Sequence, residues 1–190
     1  MVGTSDVGAG ALEQVLEWVR SHYFGKYRGI VVDNNDPAQQ GRIKVRVPSV
    51  LGEQEVWAMP CVPYAGAGVG FYAIPEPDTG VWIDFEAGDP SFPVWTGCFW
   101  GAGELPDRSD PSIKIWKTDS ITIRADDRAQ ELLIESAKGS RLKLDIKIVG
   151  EAGGAKHTVG SSGVVSELGA GKLEVTAASV RVNSGAMEII

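Results

Sequence analysis

The sequence is poor in the residues that most often carry chemistry. It has two cysteines and two histidines in 190 residues, and no Cys/His cluster has the spacing of a zinc site. His22 and His157 are far apart, and neither has a partner nearby in sequence, so nothing points to a Ser-His-Asp or Cys-His site. Basic residues are also short, 18 Lys+Arg against 25 Asp+Glu, for a net charge of −7. That balance lacks the positive field on which a general nucleic-acid binder relies. No apolar run approaches the ~20 residues of a membrane span. The start, Met1-Val-Gly-Thr-Ser-Asp-Val-Gly, has neither a basic stretch nor an apolar core. The expectation is therefore a chain without a signal peptide that folds in a reducing cytoplasm. Cys61 and Cys98 each sit among apolar residues and read as two buried thiols.

What is present is unevenly placed. Of six Trp, four Tyr and five Phe, only Trp116 lies beyond Ser109, and Pro111 is the last proline. Residues 1–108 carry 7 Lys+Arg and 14 Asp+Glu, whereas residues 109–190 carry 11 of each, so the net charge belongs to the front half. Two domains follow from this break.

Residues 11–24 have one apolar stripe, Leu12, Val15, Leu16, Val19 and Tyr23, with Glu13, Glu17 and Arg20 on the other side. The spacing predicts a helix, and a stripe this short needs a surface to cover. From Tyr27 the period becomes two. Strands are predicted at Tyr27-Arg-Gly-Ile-Val-Val-Asp, Gly41-Arg-Ile-Lys-Val-Arg-Val, Glu55-Val-Trp-Ala-Met-Pro-Cys-Val, Phe71-Tyr-Ala-Ile, Gly80-Val-Trp-Ile-Asp-Phe and Pro93-Val-Trp-Thr-Gly-Cys-Phe-Trp. Short strands with aromatic residues on both faces, separated by Pro/Gly/Asp turns, suggest a small closed barrel of OB type that fills its own core.

Residues 102–112 read as a linker. Beyond it, short alternating runs recur at Ile113/Ile115, Ile121/Ile123, Leu132/Ile134, Leu142/Leu144/Ile146/Ile148, Leu173/Val175, Val180/Val182 and Met187/Ile189. From Ser112 onward there is no proline and one aromatic residue, whereas a short β domain needs large side chains to fill a core alone. Narrow stripes of Ile, Leu and Val suit a thin interior shared by several chains, with trimerisation supplying the missing core by symmetry. An ordinary β-sandwich fits the strand spacing as well.

Three motifs were weighed and set aside. Gly66-Ala-Gly-Val-Gly-Phe lacks the offsets and the following helix of a phosphate loop; an inter-strand loop is the better reading. Asp33, Asn35 and Asp36 have no downstream bidentate Glu for calcium and read as a turn. Asp84 and Glu86 share a strand face but read as solvated acids. No catalytic, metal-binding or cofactor-binding residue is assigned, and no enzyme is read here.

The barrel residues carry a more specific signal. In order they are Tyr27-Arg-Gly-Ile-Val, Asp36-Pro, Gly41-Arg-Ile-Lys-Val-Arg-Val-Pro, Trp57, Gly66 to Gly70, Pro77-x-x-Gly80-Val-Trp-Ile-x-Phe85, Gly88-Asp-Pro, Pro93-Val and Gly97-x-x-Trp100. This series resembles the OB domain of contractile-tail spike proteins, the phage baseplate assembly protein V family and the VgrG spikes of type VI secretion. The resemblance covers roughly residues 27–101. It implies a mainly β chain, divided into an N-terminal helical segment (1–26), an OB collar (27–101), a linker (102–112) and a trimeric intertwined β-helix needle (113–190).

The implied role is mechanical. A homotrimer would plug the tube of a contractile injection device, whether phage tail, tailocin or type VI-like system, and pierce the target envelope when the sheath contracts. Its contact with a membrane would be transient, and it would bind no nucleic acid. The protein would assemble in the bacterial cytoplasm and then become part of a virion or baseplate. The short linker leaves no room for a lysozyme domain, and the C-terminal residues have no His-x-His iron pair. The resemblance thus implies a blunt needle, with Met187, Ile189 and Ile190 as the seat for a separate PAAR-type tip protein. A separate hub protein is expected too, and Leu12, Val15, Leu16 and Val19 either contact it or cover the barrel; inner tube and baseplate wedge proteins would be indirect partners. The competing reading is an OB-fold module for single-stranded nucleic acid or glycan that uses Trp57, Trp82, Trp95 and Trp100 as stacking platforms.

Overall fold

The computed structural model describes residues 5–189, and the chain divides into two compact units between Glu104 and Leu105. The front unit opens with helix α1 (Ser5–Ser21). It starts earlier and stops sooner than the apolar stripe predicts. At its end Ser21 Oγ donates to Trp18 O at 3.0 Å, and His22 Nδ1 lies 2.8 Å from the same carbonyl. These side chains compete for the last turn and end it. Tyr23, read from spacing as the last residue of the stripe, instead donates its backbone N–H to Gly88 O at 2.7 Å and packs against the barrel core.

The barrel is built from β1 (Tyr27–Asp33), β2 (Ile43–Arg46), a short helix α2 (Pro48–Leu51) and β3 (Glu55–Pro60). It continues with a small hairpin of β4 (Ala65–Gly66) and β5 (Val69–Gly70), then β6 (Gly80–Phe85) and β7 (Pro93–Cys98). The sheet closes in the order β1-β2-β3-β7-β6, with β3 and β7 parallel and every other pair antiparallel. Closure removes the exposed edges of a small sheet. Alternation decides what is inside. Ile43, Val45 and Val47 are buried while Lys44 and Arg46 face outward to Glu55 at 3.3 and 3.0 Å. Phe71-Tyr-Ala-Ile, predicted as a strand, is not one; it follows the β4–β5 hairpin formed by the glycine-rich segment.

The core itself is mostly aliphatic: Val31, Ile43, Val45, Val47, Ala58, Val81 and Ile83, with only Phe85 and Trp95 as large aromatic members. The aromatic residues of this half are divided between inside and outside, as the sequence suggests. Phe24, Tyr64, Phe71, Tyr72, Phe92 and Trp100 are all exposed. A five-stranded barrel has an interior just wide enough for branched aliphatic side chains.

The loop between β1 and β2 is organised by Asp36. Its carboxylate accepts from the backbone N–H groups of Ala38, Gln40 and Arg42, and forms a close ion pair with the Arg42 guanidinium at 2.7 Å. The Arg42 guanidinium first, and these backbone donors with it, hold the Asp36 carboxyl far below the usual carboxylate range. The folded group therefore binds its proton less readily than the unfolded one, for which an Asp value of about 3.9 applies. The stabilisation is complete above that value and is lost as pH falls below it. Thermal melts at pH 7, 4 and 3 should show a steep acid loss in the native chain. Asp36→Asn should melt lower at pH 7 and lose less on acidification; an unchanged acid slope would separate this loop from the acid response.

The back unit is one ten-stranded sheet in simple sequential order. Its strands are β8 (Ile113–Lys117), β9 (Ile121–Asp126), β10 (Glu131–Ser136), β11 (Arg141–Leu144) and β12 (Ile148–Ala152), followed by β13 (Ala155–Gly160), β14 (Gly163–Leu168), β15 (Gly171–Val175), β16 (Val180–Val182) and β17 (Met187–Ile189). Each is antiparallel to the next. The run Arg141–Ile148, predicted as one long strand, is broken at Asp145–Lys147. There Lys147 N–H donates to Asp145 Oδ1 at 2.9 Å, and Asp145 N–H to Lys147 O at 2.9 Å, so the chain reverses.

Residues 105–112 belong with this unit. Asp107 accepts from Arg124 Nε at 2.8 Å, Asp110 from Ser112 Oγ at 2.8 Å, and Arg124 also reaches Asp126 at 3.2 Å. Asp126 is buried and further accepts from the backbone of Arg128 and Ala129.

Candidate assembly surfaces

In an antiparallel sheet, residues directly opposite on neighbouring strands share a face. The registers trace one such row through Trp116, Ile123, Ile134, Leu142, Gly150, His157, Ser166, Leu173, Val182 and Met187. Beside it run Lys114, Ala125, Leu132, Leu144, Ile148, Val159, Val164, Val175, Val180 and Ile189. Ten strands thus present one face with no carboxylate in either row, and with Lys114 and His157 as its only ionisable groups. A trough of about 950 Å³ crosses it, lined by apolar residues that include Ile134, Leu142, Leu168 and Leu173, with charged residues such as Glu151 and Lys156 of the neighbouring positions also along it. Trp116, Leu142, Ile148, Leu168, Leu173, Val175, Met187 and Ile189 are all exposed there. A largely apolar, solvent-facing surface on this scale marks an interaction site.

The opposite face is charged in alternation. Glu135, Arg141, Glu151, Lys156, Glu167 and Lys172 follow one another across the strands. Arg141 meets Glu135 at 3.3 Å, Lys156 meets Glu151 at 3.3 Å, and Lys143 bridges Glu131 at 2.6 Å and Asp145 at 3.2 Å. Glu131 first, then Asp145, hold the Lys143 ammonium above the usual lysine range. The backbone N–H of Lys147, then Lys143, hold Asp145 below the usual carboxylate range. Exposed pairs like these contribute little each to stability, but they keep this face soluble. The sheet is therefore two-sided, with one face made for water and one not.

The predicted hub-contact residues are all on the surface. Leu12, Val15, Leu16 and Val19 are 61, 57, 45 and 54% exposed, and Trp18 beside them stacks on His22 with ring centres 4.4 Å apart. Of the predicted tip seat, Met187 and Ile189 are exposed and lie opposite Val182 and Val180, so they continue the apolar face of the sheet. Ile190 lies outside the described residues.

The stacking-platform reading meets a correction. Trp95 is only 5% exposed, and its indole N–H donates to Gly41 O at 3.3 Å, so its ring is part of the core. Trp57 carries the Arg42 guanidinium 5.4 Å from its ring centre, and Trp82 packs on Phe99 with Arg28 at 5.4 Å. Of these four, only Trp100 is exposed.

The cysteines are corrected as well: Cys61 and Cys98 are free and exposed. Cys61 lies just past β3, and Cys98 follows the irregularity where Trp82 pairs with Gly97 but Ile83 with Trp95. That bulge sets Cys98 opposite the buried Val81, and Cys98 is exposed where β7 ends. Sequence reasoning also passed over β13 and β14, because His157 and Ser166 interrupt their apolar face. The two side chains are in contact, His157 Nδ1 and Ser166 Oγ being 2.8 Å apart. Among the described residues no group of three or more His, Cys, Asp or Glu is placed to hold a metal ion, and no helix is long and apolar enough to cross a membrane.

Comparison with curated proteins gives no match. Residues 27–100 match the family model described as the type VI secretion system/phage-baseplate injector OB domain. The match covers the closed barrel from Tyr27 in β1 to Trp100, two residues beyond β7. The barrel is thus similar to the injector OB domain of type VI secretion systems and phage baseplates, and the resemblance to baseplate protein V and VgrG holds.

Proposed function

We propose that the chain is the homotrimeric central spike of a contractile injection baseplate, with the barrel as collar and the back sheet as needle. An injector OB domain points to a structural part of such a baseplate. The observation that carries the finer reading is the uncovered face of the back sheet. Ten strands bury almost nothing of their own, since only Leu133 and Val149 among their apolar residues are buried, and both lie on the charged face. The face from Trp116 to Met187 has no carboxylate and a single lysine, Lys114 on β8, so it offers a foreign partner little charge to read, but it matches itself. Three copies turning it inward would bury the apolar rows and leave the ion pairs in water, with all open edges paired or covered.

Within this reading the apolar stripe of α1 contacts the hub, and Met187, Ile189 and Ile190 seat a PAAR-type tip protein at the end of the needle. The needle pierces the target envelope when the sheath contracts, and the spike's work is mechanical rather than catalytic. A binding module for single-stranded nucleic acid or glycan is less well supported, because one of its four tryptophans is buried and two carry arginines. Light scattering on the purified full chain should give three times the chain mass of 20.2 kDa. A monomer at micromolar concentration would overturn the spike reading.

A further inference from the structure

We propose that His157 makes the back-sheet assembly sensitive to acid: copies hold together at neutral pH and loosen as the imidazole gains a proton. The inference rests on the self-assembly reading above and names its regulation. His157 sits in the central row of the apolar face, directly between Gly150 on β12 and Ser166 on β14. Its same-face neighbours are Ile148 and Ala152 on β12, Ala155 and Val159 on its own strand, and Val164 and Leu168 on β14. None of these can carry a charge. Lys114, the other ionisable residue of the face, is on β8 and pairs with Asp127. The charged residues of the adjoining strands, Glu151, Lys156 and Glu167, belong to the opposite face, where Lys156 is paired with Glu151 at 3.3 Å.

The contact between Nδ1 and Ser166 Oγ satisfies one ring nitrogen of a neutral imidazole, whichever of the two donates. A neutral ring so held can be covered by another apolar face at modest cost. An imidazolium cannot, because no carboxylate faces it and water would be excluded. Imidazole changes charge within the range of pH 5 to 8.

The direction follows from linkage. The covered state binds the proton less readily than the open state, so assembly is favoured above this range and weakened as pH falls through it. Each chain brings one such ring. The association constant of a trimer therefore falls by up to about tenfold per histidine, or about a thousandfold per pH unit.

The test measures dissociation of the full-length oligomer in guanidinium chloride by sedimentation, at pH 8 and pH 5. The native chain should dissociate at a clearly lower denaturant concentration at pH 5. His157→Gln and His157→Leu should lose most of that difference, while His22→Gln, which removes the only other histidine, should keep it. An equal shift in the His157 variants, or no shift in the native oligomer, overturns the proposal. So does failure of both variants to assemble at pH 8, since neutral replacements should be tolerated in this face. A native chain that is monomeric at pH 8 overturns self-assembly as well, a result distinct from an oligomer indifferent to pH.

Discussion

Replacing Gly163 with alanine should unfold much of the back sheet while leaving the barrel intact. Gly163 opens β14 with φ +138, a backbone region that L side chains rarely adopt. A Cβ built there would lie 2.1 Å from the carbonyl oxygen of Val175 and 3.1 Å from its carbon. Both are backbone atoms, so no side chain can swing aside. β14 and β15 would have to separate where Val164 pairs with Val175, and the register of the strands beyond would lose its anchor. Strain at a special φ combined with a backbone clash places the penalty on the order of 3 kcal/mol or more.

The two units offer separate reporters for this substitution. Trp116 is the only tryptophan of the back unit, and five others lie in the front. Limited proteolysis should cut Gly163→Ala after residue 112 while residues 27–100 persist as a folded fragment. Gly154→Ala is the matched control: its φ is +83, but its Cβ would meet nothing within 4 Å. Equal protection of the two variants from protease would show that the close approach to Val175 does not hold the sheet.

The front unit was legible in sequence because each barrel strand is half wet and half dry. In Gly41–Val47 the alternation of Ile43, Val45 and Val47 with Arg42, Lys44 and Arg46 fixes both strand and face. The fate of the aromatic residues was not legible. Composition counts Tyr72 and Trp100 the same as Trp95, yet only Trp95 lies on an inward position of a barrel strand. Cys98 was misjudged for a different reason: it pairs with the buried Val81 but is the last residue of β7, and where a strand ends leaves no mark in hydropathy.

In the back half, strand existence was readable from periodicity, but the break at Asp145–Lys147 was hidden. Ile146 keeps the alternation going through a turn in which its own side chain is almost wholly exposed. What periodicity alone could not reveal is the register. It is register that gathers ten separate stripes into one face and sets His157 in its middle. The helix stripe was legible as a pattern, and Leu12, Val15, Leu16 and Val19 are exposed in the single chain.

In the proposed trimer, Leu142→Asp should leave only monomers without harming the isolated fold. Leu142 lies in the central row of the apolar face, opposite Ile134 on one side and Gly150 on the other. It is 37% exposed in the single chain, so a carboxylate there would be solvated as long as the face stays open. Once copies cover the face, the same carboxylate is desolvated, with no cation in either apolar row nearer than Lys114 on β8. An uncompensated buried charge costs roughly 3 kcal/mol or more. Three copies give about 9 kcal/mol, which lowers the association constant by about a millionfold. Light scattering should therefore report chain-sized particles at concentrations where the native protein is oligomeric, with an unchanged melting transition for the barrel. Thr158→Asp adds the same charge to the opposite face, on the strand that also carries Lys156, and should leave the oligomer whole. If both variants dissociate, charge as such is responsible. If neither does, the apolar face is not where the copies meet.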